Sequence, residues 1–178
     1  MSTLLAAALA LLAASPLGEG YQKTKWGMTP AEVKALYPTS MDADQARKLQ
    51  PGRFGKSEEF VLAKTTVLGK DAWATFRFDK SGLARVSVRP DPENSGDCPR
   101  LSDALSIKYG DATSKVAQDT DDLFVLNGTW ETKETRIELT CSSIKTKAQL
   151  EKMKKAAPDE SFPSDVPADA VLLEYKRK

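Results

Sequence analysis

The stretch DAWATFRFDKSGLARVSVRP, Asp71 to Pro90, decides the fold. Ala72, Ala74, Phe76 and Phe78 recur every second residue, and so do Ala84, Val86 and Val88. Such alternation marks half-buried strands, with one face on a core and the other toward water. Between the two runs lies DKSG, a turn sequence in which Gly82 can take the left-handed backbone that other residues avoid. Pairing Asp79 with Leu83 makes Lys80-Ser81-Gly82 a three-residue loop. Phe78 then faces Ala84, Phe76 faces Val86, and Ala74 faces Val88. On the polar face the same register sets Trp73 against Arg89, Thr75 against Ser87, and Arg77 against Arg85.

Outward from this hairpin, helices and strands alternate. Upstream, WGMTPAEVKALYP (26–38) writes a short helix with care. Thr29 can cap it, Pro30 suits its first position, and Glu32 completes a capping box. Met28 and Val33 have hydrophobic-staple spacing, and Pro38 stops the helix. SMDADQARKLQ reads as a second short helix, broken by Pro51-Gly52. Downstream, Asp97 is positioned to cap the helix CPRLSDALSIKYG, with Leu101, Leu105 and Tyr109 inward and Gly110 ending it. DATSKVAQDTDD reads as a polar connection. DLFVLNGTW and RIELTC form a second hairpin, in which Trp130 faces Ile137, Gly128 faces Leu139 and Glu131 pairs with Arg136 around Lys133-Glu134. TKAQLEKMKKAA is another capped helix with Leu150, Met153 and Ala157 on one stripe. PDESFPSDVPADA is a proline-rich acidic loop, and AVLLEYK is a last strand.

The chain of 178 residues carries 26 Lys and Arg against 25 Asp and Glu, a net charge of +1, and no histidine. The charge balance argues against a polyanion binder, and neither nucleic acid nor a cofactor is expected. Without histidine there is no Ser-His-Asp or Cys-His catalysis and no His-ligated zinc. Leu4 to Ala14 is an eleven-residue Leu/Ala run of signal-peptide length, too short to span a bilayer, with small residues after it. Residues 1–18 are therefore expected to be a signal peptide, the protein to be periplasmic or secreted, and the mature chain to have no transmembrane segment. In an oxidising compartment the two cysteines, Cys98 and Cys141, are expected to form a disulfide, because both fall on inward faces. Two buried free thiols are the alternative.

The phrase WGMTPAEVK, followed by antiparallel strands, resembles small envelope modules of the SmpA/OmlA (BamE) type. The helix-plus-hairpin tandem layout also resembles the β-lactamase-inhibitor-protein-like fold. The chain departs from the first in having no Cys near the expected cleavage zone. These resemblances imply a secreted or periplasmic protein that binds another protein through its sheet; they carry over no site residue.

Three surfaces invite a functional reading. Trp73, Arg77, Arg85 and Arg89 form the preferred partner-binding face, since tryptophan and arginine are typical interface anchors; a plain solvated sheet face, or one covered by the C-terminal segment, competes with it. The lysines 145, 147, 152, 154 and 155 read as a solvated helix face. In DPENSGD the closing position of a calcium loop would be Ser102, so no metal is expected there, and Asp119, Asp121 and Asp122 read as a polar turn. The fold expected is α+β. It consists of two helix-plus-antiparallel-hairpin repeats, 21–90 and 91–178, forming a curved antiparallel sheet with helices on one face. The function expected is a non-enzymatic exported module that recognises a protein partner. The alternative is a histidine-free hydrolase or small-ligand carrier.

Overall fold

The hairpin at Asp71–Pro90 forms, with its polar-face register as expected. The computed structural model describes residues 20–49, 54–55, 58–156 and 169–178. The signal-peptide segment, the Pro51-Gly52 break and the proline-rich acidic loop as far as residue 168 lie outside them; the last two residues read as that loop, Asp169 and Ala170, already belong to the final strand. Strands β3 (Lys70–Asp79) and β4 (Gly82–Pro90) pair Trp73 with Arg89, Thr75 with Ser87 and Arg77 with Arg85. The turn is tighter than the sequence reading has it. Asp79 pairs with Gly82 and Phe78 with Leu83, and a register shift after Arg77 absorbs the difference. Leu83 is thereby fully buried, and Ala84 is only half-buried.

The reason for the tighter turn lies in WGM. The Gly27 amide donates to the Leu83 carbonyl (3.0 Å), and the Leu83 amide donates to the Met28 carbonyl (2.8 Å). Two glycines meet there: a Cβ built on Gly82, whose φ is +94°, would lie 2.1 Å from the Gly27 carbonyl oxygen. Asp79 closes the turn by accepting from the Ser81 amide (2.8 Å). Trp26 packs against the core and reaches across to Thr135 (Nε1 to Oγ1, 2.8 Å).

Helix α1 (Pro30–Leu36) carries both halves of the Thr29/Glu32 capping box, and Val33 is fully buried. A two-residue strand β1 (Met41–Asp42) precedes α2 (Ala43–Leu49), where Asp42 and Gln45 exchange hydrogen bonds of 2.9 and 3.0 Å. Strand β2 (Phe60–Val67) leads into β3. After β4 a 3₁₀ turn at Ser95–Asp97, capped by Asn94, opens α3 (Cys98–Tyr109). Asp97 makes no side-chain cap, contrary to the sequence reading, because its carboxylate is taken by Lys70 (2.6 Å). Strands β5 (Ser114–Asp119), β6 (Leu123–Glu131) and β7 (Thr135–Ile144), helix α4 (Lys147–Ala156) and strand β8 (Asp169–Arg177) complete the chain. The second hairpin has the expected pairs Trp130–Ile137, Gly128–Leu139 and Glu131–Arg136.

The strands form one eight-stranded antiparallel sheet in the order β1-β2-β3-β4-β8-β7-β6-β5. The fold is α+β. The last strand lies in the middle, pairing with β4 on one side and β7 on the other. Val171, Leu173 and Tyr175 of β8 join Phe76, Val86 and Val88 from one hairpin to Trp130, Ile137 and Leu139 from the other, in one core. Helices α1 and α3 contribute Val33, Leu101 and Leu105 to that core. Helix α2 departs from the expected arrangement of helices on a single face. Its Ala46 packs with Phe60 and Leu62, which alternate with the core residues Val61 and Ala63 and so point to the other face. The Cys98–Cys141 disulfide is present, with a Cα separation of 6.3 Å, and ties α3 to β7.

Strand β5 is the element the sequence does not announce. All six of its residues are exposed, so no alternation marks SKVAQD as a strand. No helix among the described residues is long and apolar enough to cross a membrane.

Candidate functional site

The polar face of the sheet gathers the four residues singled out from the sequence, and the pairing of β8 adds more. Arg77 of β3, Arg85 of β4, Lys176 of β8 and Arg136 of β7 are successive cross-strand neighbours. They make one cationic rank across four strands. The next rank along the same face is Thr75, Ser87, Glu174 and Glu138. Like charges opposite each other repel, so this arrangement needs internal compensation.

Most of that compensation is visible. Arg77 donates to Glu58 (Nε to Oε2, 3.3 Å) and to Ser87 (2.9 Å), and Ser87 in turn donates to Glu174 (3.0 Å). Lys176 lies between Glu138 (2.5 Å) and Glu174 (3.2 Å), and Arg136 holds Glu138 at 2.8 Å. The hydrogen bond from Lys176 keeps the Glu138 carboxyl below its ordinary pKa against the opposing effect of burial, with the charges of Lys176 and Arg136 adding to it. For Lys176, burial favours the neutral amine, but hydrogen bonds and charge from Glu138 and Glu174 outweigh it and raise the pKa. Both groups are therefore ionised at neutral pH.

Trp73 and Arg89 are held by the loop that follows their own hairpin. The Trp73 indole donates to Asp91 (3.0 Å), and Lys64 lies 5.4 Å from its ring centroid. One side of Trp73 packs on the Ala46, Phe60 and Leu62 cluster. Arg89 pairs with Glu93 (3.3 Å), whose other oxygen accepts the Val171 amide (2.6 Å). Ser95 donates to Asp169 (2.6 Å). The DPENSGD stretch is thus a clamp across β3, β4 and β8, with the side chains of Asp91, Glu93, Asn94, Ser95 and Asp97 all spent on internal contacts. The acids at 119–122 behave alike: Asp119 pairs with Lys145 (2.5 Å) and Asp122 accepts from Thr146 (2.9 Å). Among the described residues no three His, Cys, Asp or Glu side chains are grouped to hold a metal ion.

Arg85 stands apart. It is exposed, lies between Arg77 and Lys176, and makes no hydrogen bond or ion pair among the described residues. The structure thus places all four predicted residues on one face but engages three of them internally. Lys176, Arg136, Glu174 and Glu138 were missed by sequence reasoning. The signal was present in RIELTC and AVLLEYK, whose polar residues alternate with buried ones, but the neighbours of β8 were not legible.

Beside this face a groove of about 550 Å³ runs between Glu58, Glu59 and the β3–β4 turn at Phe78 to Lys80. A second, of about 370 Å³, opens between α1, α2 and the start of β2, lined by Lys34, Asp42, Arg47 and Glu58 among others. The backbone hydrogen bond to Gln45, with Lys34 nearby, keeps the Asp42 carboxyl low and charged. Both grooves are open and lined by charged side chains, and they adjoin the Arg77 end of the cationic rank. Comparison of the chain with known family models, with curated proteins and with solved structures finds no match.

Proposed function

We propose that this chain is an exported, non-enzymatic recognition module that binds a protein partner in the cell envelope or outside the cell. The observation that carries the reading is Arg85. It is an exposed guanidinium between two further cations, with its own charge unanswered within the described residues. A carboxylate-bearing segment of a partner would supply the missing counter-charge, and a bidentate Arg–carboxylate contact would fix its orientation. Trp73 and Arg89, anchored by Asp91 and Glu93, would form the rigid margin of that surface.

Export is supported by the Leu4–Ala14 pattern and by the Cys98–Cys141 disulfide, since structural disulfides persist in oxidising compartments. The likeness of Trp26–Tyr37 to SmpA/OmlA (BamE)-type modules points the same way. In this reading the segments 21–90 and 91–178 are two helix-plus-hairpin units, joined by a last strand that both share.

The test is crosslinking from the native envelope with the wild-type chain and with Arg85→Glu, whose substitution is on the surface. A partner held by wild type and lost with Arg85→Glu supports the reading. The same partner held equally by both overturns the site. Sequencing the N-terminus of the natively purified protein checks export, which fails if the chain begins at Met1.

A further inference from the structure

The two edges of the sheet are unlike. At one, β1 covers Val61 and Leu62, and the Gln22 side chain reaches Thr65 (2.9 Å). At the other, β5 is six residues long, exposed throughout, and among the described residues paired only with β6. Val116 in its middle is 58% exposed. An uncovered strand of this length presents a row of free backbone donors and acceptors to any second strand. What that strand is can be read from the charges.

We propose that β5 pairs antiparallel with β5 of a second copy of this chain, extending the two sheets into one. A two-fold axis perpendicular to the sheet keeps both faces continuous, so residues directly opposite must share a face. In the register that centres Ala117 on the axis, Ala117 faces Ala117, Val116 faces Gln118, and Lys115 faces Asp119, each twice. Lys115 makes no ion pair among the described residues. Among the described residues Asp119 has only the Lys145 contact, on one oxygen, which leaves its second oxygen for the lysine of the other copy. The alternative register, centred on Val116, sets Lys115 against Ala117 and gains no charge pair. The self-complementary register answers two charges and covers Val116 at once. This interface lies four strands away from Arg85 and is independent of the partner-binding proposal.

Cysteine substitution in the full-length chain reads the register directly. At the axis, Cα atoms lie about 4.5–5.5 Å apart, within disulfide reach, whereas diagonal neighbours lie about 7–8 Å apart. Under mild oxidation Ala117→Cys is expected to form a covalent dimer, and Val116→Cys to remain uncrosslinked. Both sites are exposed, so neither substitution disturbs the core. By sedimentation, the wild-type chain is expected to associate reversibly to twice its monomer mass. Lys115→Glu is expected to weaken that association at least about ten-fold, the equivalent of roughly 1.4 kcal/mol. A wild-type chain that stays monomeric at the highest soluble concentration overturns the proposal, whether or not it accepts a foreign strand at that edge. Crosslinking of Val116→Cys in place of Ala117→Cys overturns the register and the charge argument with it.

Discussion

Gly82 shows how much one residue can decide. Its φ of +94° is open to glycine, and its missing side chain lets Gly27 approach on the other side. A methyl group there meets two costs at once: backbone strain and a collision with the Gly27 carbonyl. Gly69 separates them, since its φ is +75° and a Cβ would find nothing within 4 Å. Gly69→Ala is expected to cost about 1 kcal/mol for strain alone, and Gly82→Ala about 3 kcal/mol or more, as judged by urea denaturation midpoints. Equal losses would mean that the Gly27–Gly82 contact does not matter. Gly128 matters through space instead: the Trp130 ring lies 2.5 Å from where its Cβ would be, so the glycine makes room for a fully buried indole. The glycine was legible as a residue of the strand facing Leu139. The reason for it was not, because the ring above it is seen only when the strand is folded.

At the scale of elements, the disulfide is the strongest link between helix and sheet. Cys98 opens α3 and Cys141 lies on β7, 43 residues apart and both fully buried. Closing a loop of that length removes unfolded-state entropy worth about 4 kcal/mol. The double variant Cys98→Ser/Cys141→Ser is expected to lose stability of that order while keeping its strand content by circular dichroism. A loss under about 1 kcal/mol would show that packing of Leu101 and Leu105 alone seats the helix. The capped helices and the alternating hairpins were legible because caps, turns and period-two patterns act within a few residues. Strand β5 was not, because a strand exposed on both faces carries no pattern to read.

For the whole molecule, pH is an informative probe of the core. Burial raises the pKa of Tyr21 to about 12 despite a hydrogen bond with Thr65, and raises Tyr37 and Tyr175 as well. These rings meet where the two hairpins share β8: Tyr21 packs 5.0 Å from Tyr175 and 6.3 Å from Phe76. An unfolded tyrosine loses its proton near pH 10. Between that value and the folded pKa the unfolded chain has fewer bound protons than the folded one, so stability falls as pH rises. Lys176, whose pKa is also raised, acts in the same sense. Stability is expected to hold up to about pH 9 and then to fall, with Tyr21 alone accounting for about 2 kcal/mol by pH 12. Urea midpoints across this range, with tyrosinate absorbance to follow ionisation, check it. Tyrosines that titrate near pH 10 without any loss of fold would contradict the packing described.

The sequence by itself determined the local pieces: the Thr29 cap, the Asp71–Pro90 hairpin with its polar-face pairs, the Trp130–Ile137 register and the inward cysteines. Each rests on interactions between residues close in the chain or on a periodicity that backbone geometry imposes. Only the tertiary structure decided that the last strand lies between β4 and β7. That placement turns Arg77 and Arg85 into a rank of four cations and brings Glu138 and Glu174 beside them. Among the described residues it also leaves Arg85 unanswered and β5 at an open edge. Strand order depends on contacts between residues far apart in the chain, which no local pattern specifies. The charge of a surface is therefore known only once its neighbours are.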